Sequence, residues 1–188
     1  MAIRRAPALP HPGRRRTLRA ASMVALGACG LRPAAAAHVV RPWPTGRPVP
    51  AFDLPDLNGK RWRLEPLLGQ VVVLNFWATW CEPCRTEMPS LEAMAARRAS
   101  SGVTVLTVNY KEAPDVIRRF LEKLPFKLPI LLDADGDATF DWTPRVFPST
   151  VLIGRNGLPV NVVLGDLDWA AAEANALLDP MVAAKGKS

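Results

Sequence analysis

The chain has 188 residues, 49% of them hydrophobic, so it can bury the core of one ordinary domain with segments to spare. Its formal net charge of +7 does not indicate a nucleic-acid-binding protein, because the excess is confined to one end. Residues 1–37 carry seven arginines and no acidic residue, whereas residues 38–188 hold 17 basic and 17 acidic residues. We therefore expect a neutral domain, without a nucleic-acid partner, behind a basic leader.

Residues 1–37 have the order of a signal peptide or membrane anchor. Arginines come first, an apolar stretch follows at 20–31, and the alanine run at 34–37 resembles a cleavage site. Residues 14–19 resemble a twin-arginine export motif. Cys29 leaves alternatives open, because a lipidated cysteine or an uncleaved helix would attach the protein to a membrane through its N-terminus. All of these alternatives predict a domain in the periplasm, free or anchored to a membrane that faces it.

The first part of the exported region predicts a tether, a hairpin and a buried strand. Residues 38–50 contain four prolines and predict an extended tether ahead of a domain at 51–185. The pair Asn58-Gly59 predicts the turn of a β-hairpin, because these residues tolerate positive φ angles. The run Val71–Trp77 is almost wholly apolar and does not alternate, which indicates a central strand covered on both faces.

Helices and strands alternate after this strand. The further predicted elements are a helix at 83–99, a strand at 103–109, a helix at 114–124, a short strand at 130–132, a hairpin at 149–164 and a helix at 169–184. Asp168 is the expected N-cap of the last helix. This order predicts an α/β fold with a central mixed sheet flanked by helices and an added N-terminal β-hairpin.

Two cysteines, Cys81 and Cys84, follow the predicted central strand directly. A structural zinc site needs four ligands, and the domain offers these two cysteines and His38, so we predict no metal and no other cofactor. The lack of a further histidine also argues against a cysteine protease. A disulfide over so short a loop would add little stability. A strand, a C-x-x-C motif and a helix in succession therefore predict a redox-active dithiol.

The two cysteines are expected to have different roles. Cys81 would lie at a helix N-terminus, where free N–H groups stabilise a thiolate, and we predict that it is the exposed nucleophile. Cys84, one turn further on, is predicted to be shielded and to resolve the mixed disulfide. Pro83 suits the first helical turn, where its missing N–H costs little. Glu82 brings a negative charge, so Glu82 and Pro83 are expected to tune the redox potential.

The segment Val72–Cys84 resembles the active-site segment of the thioredoxin superfamily, and its TlpA/ResA-like periplasmic thiol–disulfide oxidoreductases in particular. The likeness extends over about residues 49–178. It implies a thioredoxin-like fold and a cis peptide bond between Phe147 and Pro148 that faces the cysteines and shapes the substrate groove. Trp80 is expected to form a wall of the same site.

The resemblance also draws attention to Glu87, which matches a glutamate that ResA-like proteins carry three residues after the second cysteine. We hypothesise that Glu87 manages the protons of the cysteine pair, with an ordinary surface carboxylate as the alternative. Asn75 stands where thioredoxin has a buried aspartate, and an amide cannot titrate. The segment 142–146 departs from the family pattern, which puts the family's substrate preference in doubt. Arg145 in that segment is a candidate partner contact.

The sequence thus predicts an exported thiol–disulfide oxidoreductase that reduces protein disulfides in cytochrome c maturation or oxidase assembly. A membrane thiol–disulfide electron donor would restore the dithiol, and we expect a monomer. The catalytic residues would be Cys81, Cys84 and Glu87, and the substrate-binding residues Trp80, Glu82, Pro83, Phe147 and Pro148. Two alternatives stay open: a peroxiredoxin-like peroxidase, since the hairpin at 52–62 occurs there too, and a non-enzymatic module that holds copper between the two cysteines.

Overall fold

The computed structural model describes residues 38–184. Eight β-strands lie in this part of the chain: β1 (Val39–Pro42), β2 (Asp53–Pro55), β3 (Arg61–Arg63), β4 (Val71–Trp77), β5 (Val103–Tyr110), β6 (Ile130–Asp133), β7 (Ser149–Ile153) and β8 (Pro159–Leu164). Four α-helices accompany them: α1 (Glu82–Arg98), α2 (Pro114–Leu121), α3 (Asp137–Trp142) and α4 (Ala172–Ala183). Short 3-10 turns occur at Glu65–Leu67 and Ala99–Ser101.

Six strands form one mixed sheet in the order β1-β8-β7-β4-β5-β6. Strands β4, β5 and β6 run parallel, whereas β7, β8 and β1 pair antiparallel with their neighbours. Strand β4 lies in the middle of the sheet, and each of its seven residues is buried. The predicted α/β fold and its central, doubly covered strand are confirmed.

The side chains of β4 alternate between two hydrophobic cores, one on each face of the sheet. Val71, Val73 and Trp77 face the core that includes the buried sides of α1, α2 and α4. Val72, Leu74 and Phe76 face the second core, which also holds Trp142 of α3 and Phe52 just before the hairpin. Because alternate residues of a strand share a face, Asn75 points towards α1. This register places a polar side chain under the helix that carries both cysteines.

The predicted N-terminal hairpin is confirmed as a separate two-stranded sheet of β2 and β3. Its turn is stabilised by the carboxylate of Asp56, which accepts from the backbone N–H groups of Asn58 at 2.8 Å and Lys60 at 3.0 Å. The same carboxylate accepts from the indole N–H of Trp62 at 3.0 Å. Gly59 has a φ of 83°, as the Asn-Gly signal requires.

The structure differs from the sequence prediction at three elements. Val39–Pro42, which was predicted as part of a tether, pairs with β8 and forms the edge of the main sheet. Helix α4 begins at Ala172 instead of residue 169, because the Asp168 side chain accepts from Ala170 N–H in a turn ahead of the helix, so Asp168 is not its N-cap.

Helix α3 is the third difference, since no local pattern predicts an element at 137–142. The reason is a cap that lies outside the helix. The carboxylate of Asp133, at the end of β6, accepts from the backbone N–H groups of Ala138 at 3.2 Å and Thr139 at 2.8 Å, and from the Thr139 hydroxyl at 2.6 Å. A helix is usually predicted from a capping side chain directly before its first residue, and here that position is Gly136.

The predicted leader, residues 1–37 with Cys29, lies outside the described residues. Among residues 38–184, no helix has both the length and the apolar character that crossing a membrane demands.

Candidate active site

Cys81 lies at the junction between the central strand and helix α1. Strand β4 ends at Trp77, and α1 begins at Glu82 with Cys81 as its N-cap residue. The Cys81 Sγ atom accepts a hydrogen bond from the backbone N–H of Cys84 at 3.2 Å. That N–H is one of the free donors of the first helical turn, and such donors stabilise negative charge on a thiolate. The geometry therefore favours an ionised Cys81 sulfur once the bond to Cys84 is reduced.

The two cysteines form a disulfide with their Cα atoms 5.3 Å apart. Cys84 is fully buried, and Cys81 keeps 5% of its surface exposed. The order of exposure agrees with the predicted roles, but the prediction of an exposed Cys81 is wrong in degree. Cys81 packs in the core on the α1 side of the sheet, so little of its surface meets solvent.

Glu82 and Pro83 occupy the first turn of α1, as predicted. The Glu82 carboxylate is exposed and forms an ion pair with Arg85 at 2.7 Å. The negative charge that the sequence places beside Cys81 is thus matched by a cation three residues later. Exposed pairs of this kind have little energetic effect, so the influence of Glu82 on the redox potential is smaller than its position in the sequence indicates.

Glu87 is buried under the sheet, with 3% of its surface exposed, and the surface-carboxylate alternative is wrong. Its Oε1 atom accepts from Asn75 Nδ2 at 2.7 Å. Its Oε2 atom accepts from the backbone N–H of Leu167 and the indole N–H of Trp169, both at 3.3 Å. Burial raises the pKa of Glu87 from its ordinary 4.5 to about 7, although these hydrogen bonds favour the ionised form; the negative charge of Asp166 adds to the increase.

Asn75 connects Glu87 to the strand beside β4. Its Nδ2 atom also donates to Thr150 Oγ1 at 2.9 Å, on β7. Its Oδ1 atom is buried without a hydrogen-bond partner. In this orientation the Asn75 amide donates to Glu87 and so favours the ionised carboxylate.

The peptide bond between Phe147 and Pro148 is cis, in agreement with the resemblance. Pro148 is buried, and the ring of Phe147 is half-buried. Trp80, which is 63% exposed, packs edge-on against Phe147 with ring centroids 5.6 Å apart. The structure thus joins Trp80 of the cysteine loop to the loop before β7, whereas Trp77 is a core residue.

Sequence reasoning missed a carboxylate that holds the cysteine loop. Glu112, just after β5, accepts from the backbone N–H of Thr79 at 2.7 Å, from the Thr79 hydroxyl at 2.5 Å and from Asn109 Nδ2 at 2.8 Å. The order of the strands could have predicted this contact, because the carboxyl ends of adjacent parallel strands such as β4 and β5 meet at one edge of a sheet. Trp169 was also missed, since its contact with Glu87 spans 82 residues of sequence.

The site has few groups that could hold a metal. Among residues 38–184, no group of three or more His, Cys, Asp or Glu side chains is placed to bind one ion.

Comparisons with known proteins show the family and the fold of the chain. Residues 45–158 match the AhpC/TSA family. The thiol-disulfide oxidoreductase ResA of Bacillus subtilis (strain 168) is 37% identical over 122 residues, which cover 65% of this chain and 68% of that protein.

Two solved structures extend the comparison to three dimensions. One, described as a thiol:disulfide interchange protein DsbE from Chlorobium tepidum, is 28% identical with a TM-score of 0.65 and covers 71% of this chain and 94% of its own. The exposed lipoprotein thioredoxin Etrx1 of Streptococcus pneumoniae is 27% identical with a TM-score of 0.60, covering 70% and 98%. The chain therefore belongs to the AhpC/TSA family, as a thioredoxin-like thiol–disulfide oxidoreductase of the ResA and DsbE type.

Proposed function

We propose that the protein is a reductant of protein disulfides outside the cytoplasm and that Cys81 and Cys84 perform the exchange. The observation that carries the proposal is the disulfide at the start of α1, in which Cys81 accepts from a free N–H of the helix and Cys84 is fully buried. Cys81 is therefore the proposed sulfur that meets the substrate, and Cys84 the proposed sulfur that stays shielded.

The reaction begins with the reduced pair. The Cys81 thiolate attacks one sulfur of a substrate disulfide, a bond forms between the two sulfurs, and the other substrate sulfur leaves as a thiolate. Cys84 then loses its proton and attacks Cys81 Sγ, which releases the second substrate thiolate and forms the Cys81–Cys84 disulfide. Two electrons pass to the substrate, whose thiolates take up two protons. A membrane thiol–disulfide donor returns two electrons and restores the dithiol.

Glu87 is the proposed acceptor of the Cys84 proton. It lies three residues after Cys84 on α1, so both side chains project from the same face of the helix. Its raised pKa, about 7, lets it gain and lose a proton near neutral pH. The transfer belongs to the reduced form, because Cys84 carries a proton only when the disulfide is broken.

Trp80, Glu82, Pro83, Phe147 and Pro148 are the proposed substrate contacts. The contact of Trp80 with Phe147 supports this assignment, because it brings the two loops together on one side of Cys81. The likeness to an exposed lipoprotein thioredoxin supports a location outside the cytoplasm. The leader at 1–37 is the proposed export signal. A leader that is retained or lipidated would also attach the protein to the membrane surface. The proposed substrates belong to cytochrome c maturation or oxidase assembly. The proposed oligomeric state is a monomer.

The experiment that tests the proposal is a measurement of the Cys81–Cys84 reduction potential by equilibration with glutathione, together with the rate of peptide disulfide reduction. A reductant is expected to have a potential below about −200 mV, near that of glutaredoxins or thioredoxin. A potential near −120 mV, typical of a strong oxidant, contradicts the proposed direction. Rapid peroxide turnover, or stoichiometric Cu(I) uptake without reductase activity, would favour the peroxidase or the copper module instead.

A further inference from the structure

The connection between β4 and α1 is one tight turn, residues 78–81, which follows Trp77 and precedes Glu82. The backbone N–H of Cys81 donates to the carbonyl oxygen of Ala78 at 3.1 Å and closes the turn. Thr79 and the residue after it are the two middle residues. The direction in which the chain enters Cys81 therefore depends on how these middle residues are held.

Glu112 holds this turn from the end of the neighbouring strand, with both of its carboxylate oxygens bound to Thr79. Oε2 accepts from the backbone N–H of Thr79 at 2.7 Å, and Oε1 accepts from its hydroxyl at 2.5 Å. Hydrogen bonds to an ionised carboxylate are shorter and stronger than those between neutral groups, and two of them fix orientation as well as distance. The chain is thus attached at two atoms, two residues before Cys81.

The carboxylate of Glu112 is itself held in place. Its Oε2 atom also accepts from Nδ2 of Asn109 at 2.8 Å, and Asn109 is 1% exposed. Lys111, which lies between these two residues, has a φ of 60°, and its backbone N–H donates to the carbonyl oxygen of Asp133 at 2.9 Å. Residues other than glycine rarely adopt this φ, and they keep it where the surrounding contacts enforce it. This backbone turn brings Glu112 back beside Asn109 at the carboxyl end of β5.

The turn positions two groups that the exchange reaction uses. The Cys81 Sγ atom accepts from the backbone N–H of Cys84 at 3.2 Å, and the exposed ring of Trp80 packs against Phe147. Reaction rates depend steeply on geometry, and a displacement of about 1 Å can lower a rate about a hundred-fold. A turn with free middle residues would let both groups leave these positions.

We propose that Glu112 is a positioning residue for thiol–disulfide exchange, which holds Thr79 so that the turn keeps Cys81 at the start of α1 and within reach of Cys84. The proposal rests on the proposed function and adds to it the residue that sets the approach of the two sulfurs. Glu112 acts through its hydrogen bonds and not through its charge. A glutamine can replace it, because its amide oxygen can accept from the Thr79 N–H and its NH2 group can donate to the Thr79 hydroxyl oxygen.

The test compares Glu112→Ala with Glu112→Gln in two measurements. The first is kcat/KM for reduction of a cystine peptide. The second is the equilibrium constant for oxidation by glutathione, which reports the effective concentration of the two thiols relative to each other. Glu112→Ala is expected to lower each about ten-fold, which for the equilibrium constant is about 30 mV, because a loosened turn brings the sulfurs together less often. Glu112→Gln should stay within about two-fold of wild type by both measures.

Thr79→Val is a second test from the other side of the contact, since it removes the hydroxyl bond and keeps the backbone bond. It should lower both quantities about three-fold, and Thr79→Ser should restore most of the loss. Glu92→Ala is the matched control. The carboxylate of Glu92, on α1, accepts from the backbone N–H of Lys127 at 2.7 Å, so it holds a different loop by the same kind of bond. Its removal should leave both quantities at their wild-type values.

The outcomes separate positioning from stability and from charge. A residue that only stabilised the fold would change the free energy of unfolding and leave both quantities unchanged in the folded protein. Wild-type values in Glu112→Ala, or in Thr79→Val where the alanine variant does not fold, would therefore overturn the proposal. Equal losses in Glu112→Ala and Glu112→Gln would assign the effect to charge and overturn it as well. Failure of the wild-type protein to reduce the peptide would instead overturn the proposed function.

Discussion

The two sides of the cysteine pair are built in opposite ways. On the buried side, Glu87 is enclosed by Asn75, Trp169 and the backbone of Leu167, with a hydrogen bond to each. On the open side, the exposed ring of Trp80 packs edge-on against the half-buried ring of Phe147. The buried side is suited to proton chemistry because its geometry and dielectric are set by the fold. The open side is suited to recognition because its side chains can change at small cost to stability.

The largest expected effect on the reductase rate comes from replacing the cysteines, which lie between the two sides. Cys81→Ser should lower the reductase rate on the order of a thousand-fold, because the nucleophile is lost. Cys84→Ser should also stop turnover, but it should retain the first attack and accumulate a mixed disulfide between Cys81 and the substrate. Mass spectrometry after mixing with a cystine peptide measures the difference. Accumulation of the same adduct in the Cys81→Ser variant would reverse the assigned roles.

The second largest effect concerns the stability of the buried side. Because burial raises the Glu87 pKa from 4.5 to about 7, the native state holds this proton more tightly than the unfolded chain does. The protonated form therefore contributes stability that is fully present below pH 4.5 and is lost as the pH rises to about 7. The loss is roughly 3 kcal/mol, and Glu87→Gln should abolish it, so that the variant is more stable than wild type at pH 8.

Urea unfolding of the oxidised proteins at pH 4.5 and pH 8 measures this difference, since the disulfide keeps the cysteines from titrating. Glu82→Gln is the matched control, because Glu82 is exposed in the same helix and its removal should leave the pH dependence as in wild type. A Glu87→Gln variant with the wild-type pH dependence would show that Glu87 does not titrate in this range.

On the open side, Trp80→Ala is expected to have a smaller and more selective effect. It should lower kcat/KM for cystine peptides about five-fold, because an exposed aromatic contact to the substrate is lost. It should leave the free energy of unfolding nearly unchanged, since Trp80 is 63% exposed. Reduction of a small disulfide that is too short to contact Trp80 serves as the internal control. An equal loss on both substrates would mean that Trp80 acts on the cysteines and not on docking.

The smallest expected effect concerns Asp166, which lies between the buried Glu87 and solvent. A cleft of about 340 Å³ reaches Glu87 from the surface and is bordered by Asp166 and Asp168. Because the charge of Asp166 helps to raise the Glu87 pKa, Asp166→Asn should lower that pKa slightly. NMR titration of the Glu87 carboxyl carbon measures it, with Asp168→Asn as a control that borders the same cleft. An unchanged pKa in Asp166→Asn would remove Asp166 from the electrostatics of the site.

The sequence predicted the elements whose signals lie close together in the chain and missed those that depend on contacts between distant residues. The central strand was predicted correctly because six of its seven residues are apolar and do not alternate with polar ones, and both hairpins because their turns carry Asn-Gly. Helix α3 was missed because its cap, Asp133, belongs to a strand. The start of α4 was placed three residues early because the Asp168 side chain serves a turn ahead of the helix.

By itself the sequence determined the fold class, the position of the reactive cysteines at the start of a helix and, through the family resemblance, the cis bond before Pro148. All of these depend on residues close together in the chain. Only the tertiary structure decided the environment of Glu87, the anchoring of Thr79 by Glu112 and the contact of Trp80 with Phe147. Each of these joins segments distant in sequence, and the burial and charge that they share exist only after the sheet has brought those segments together.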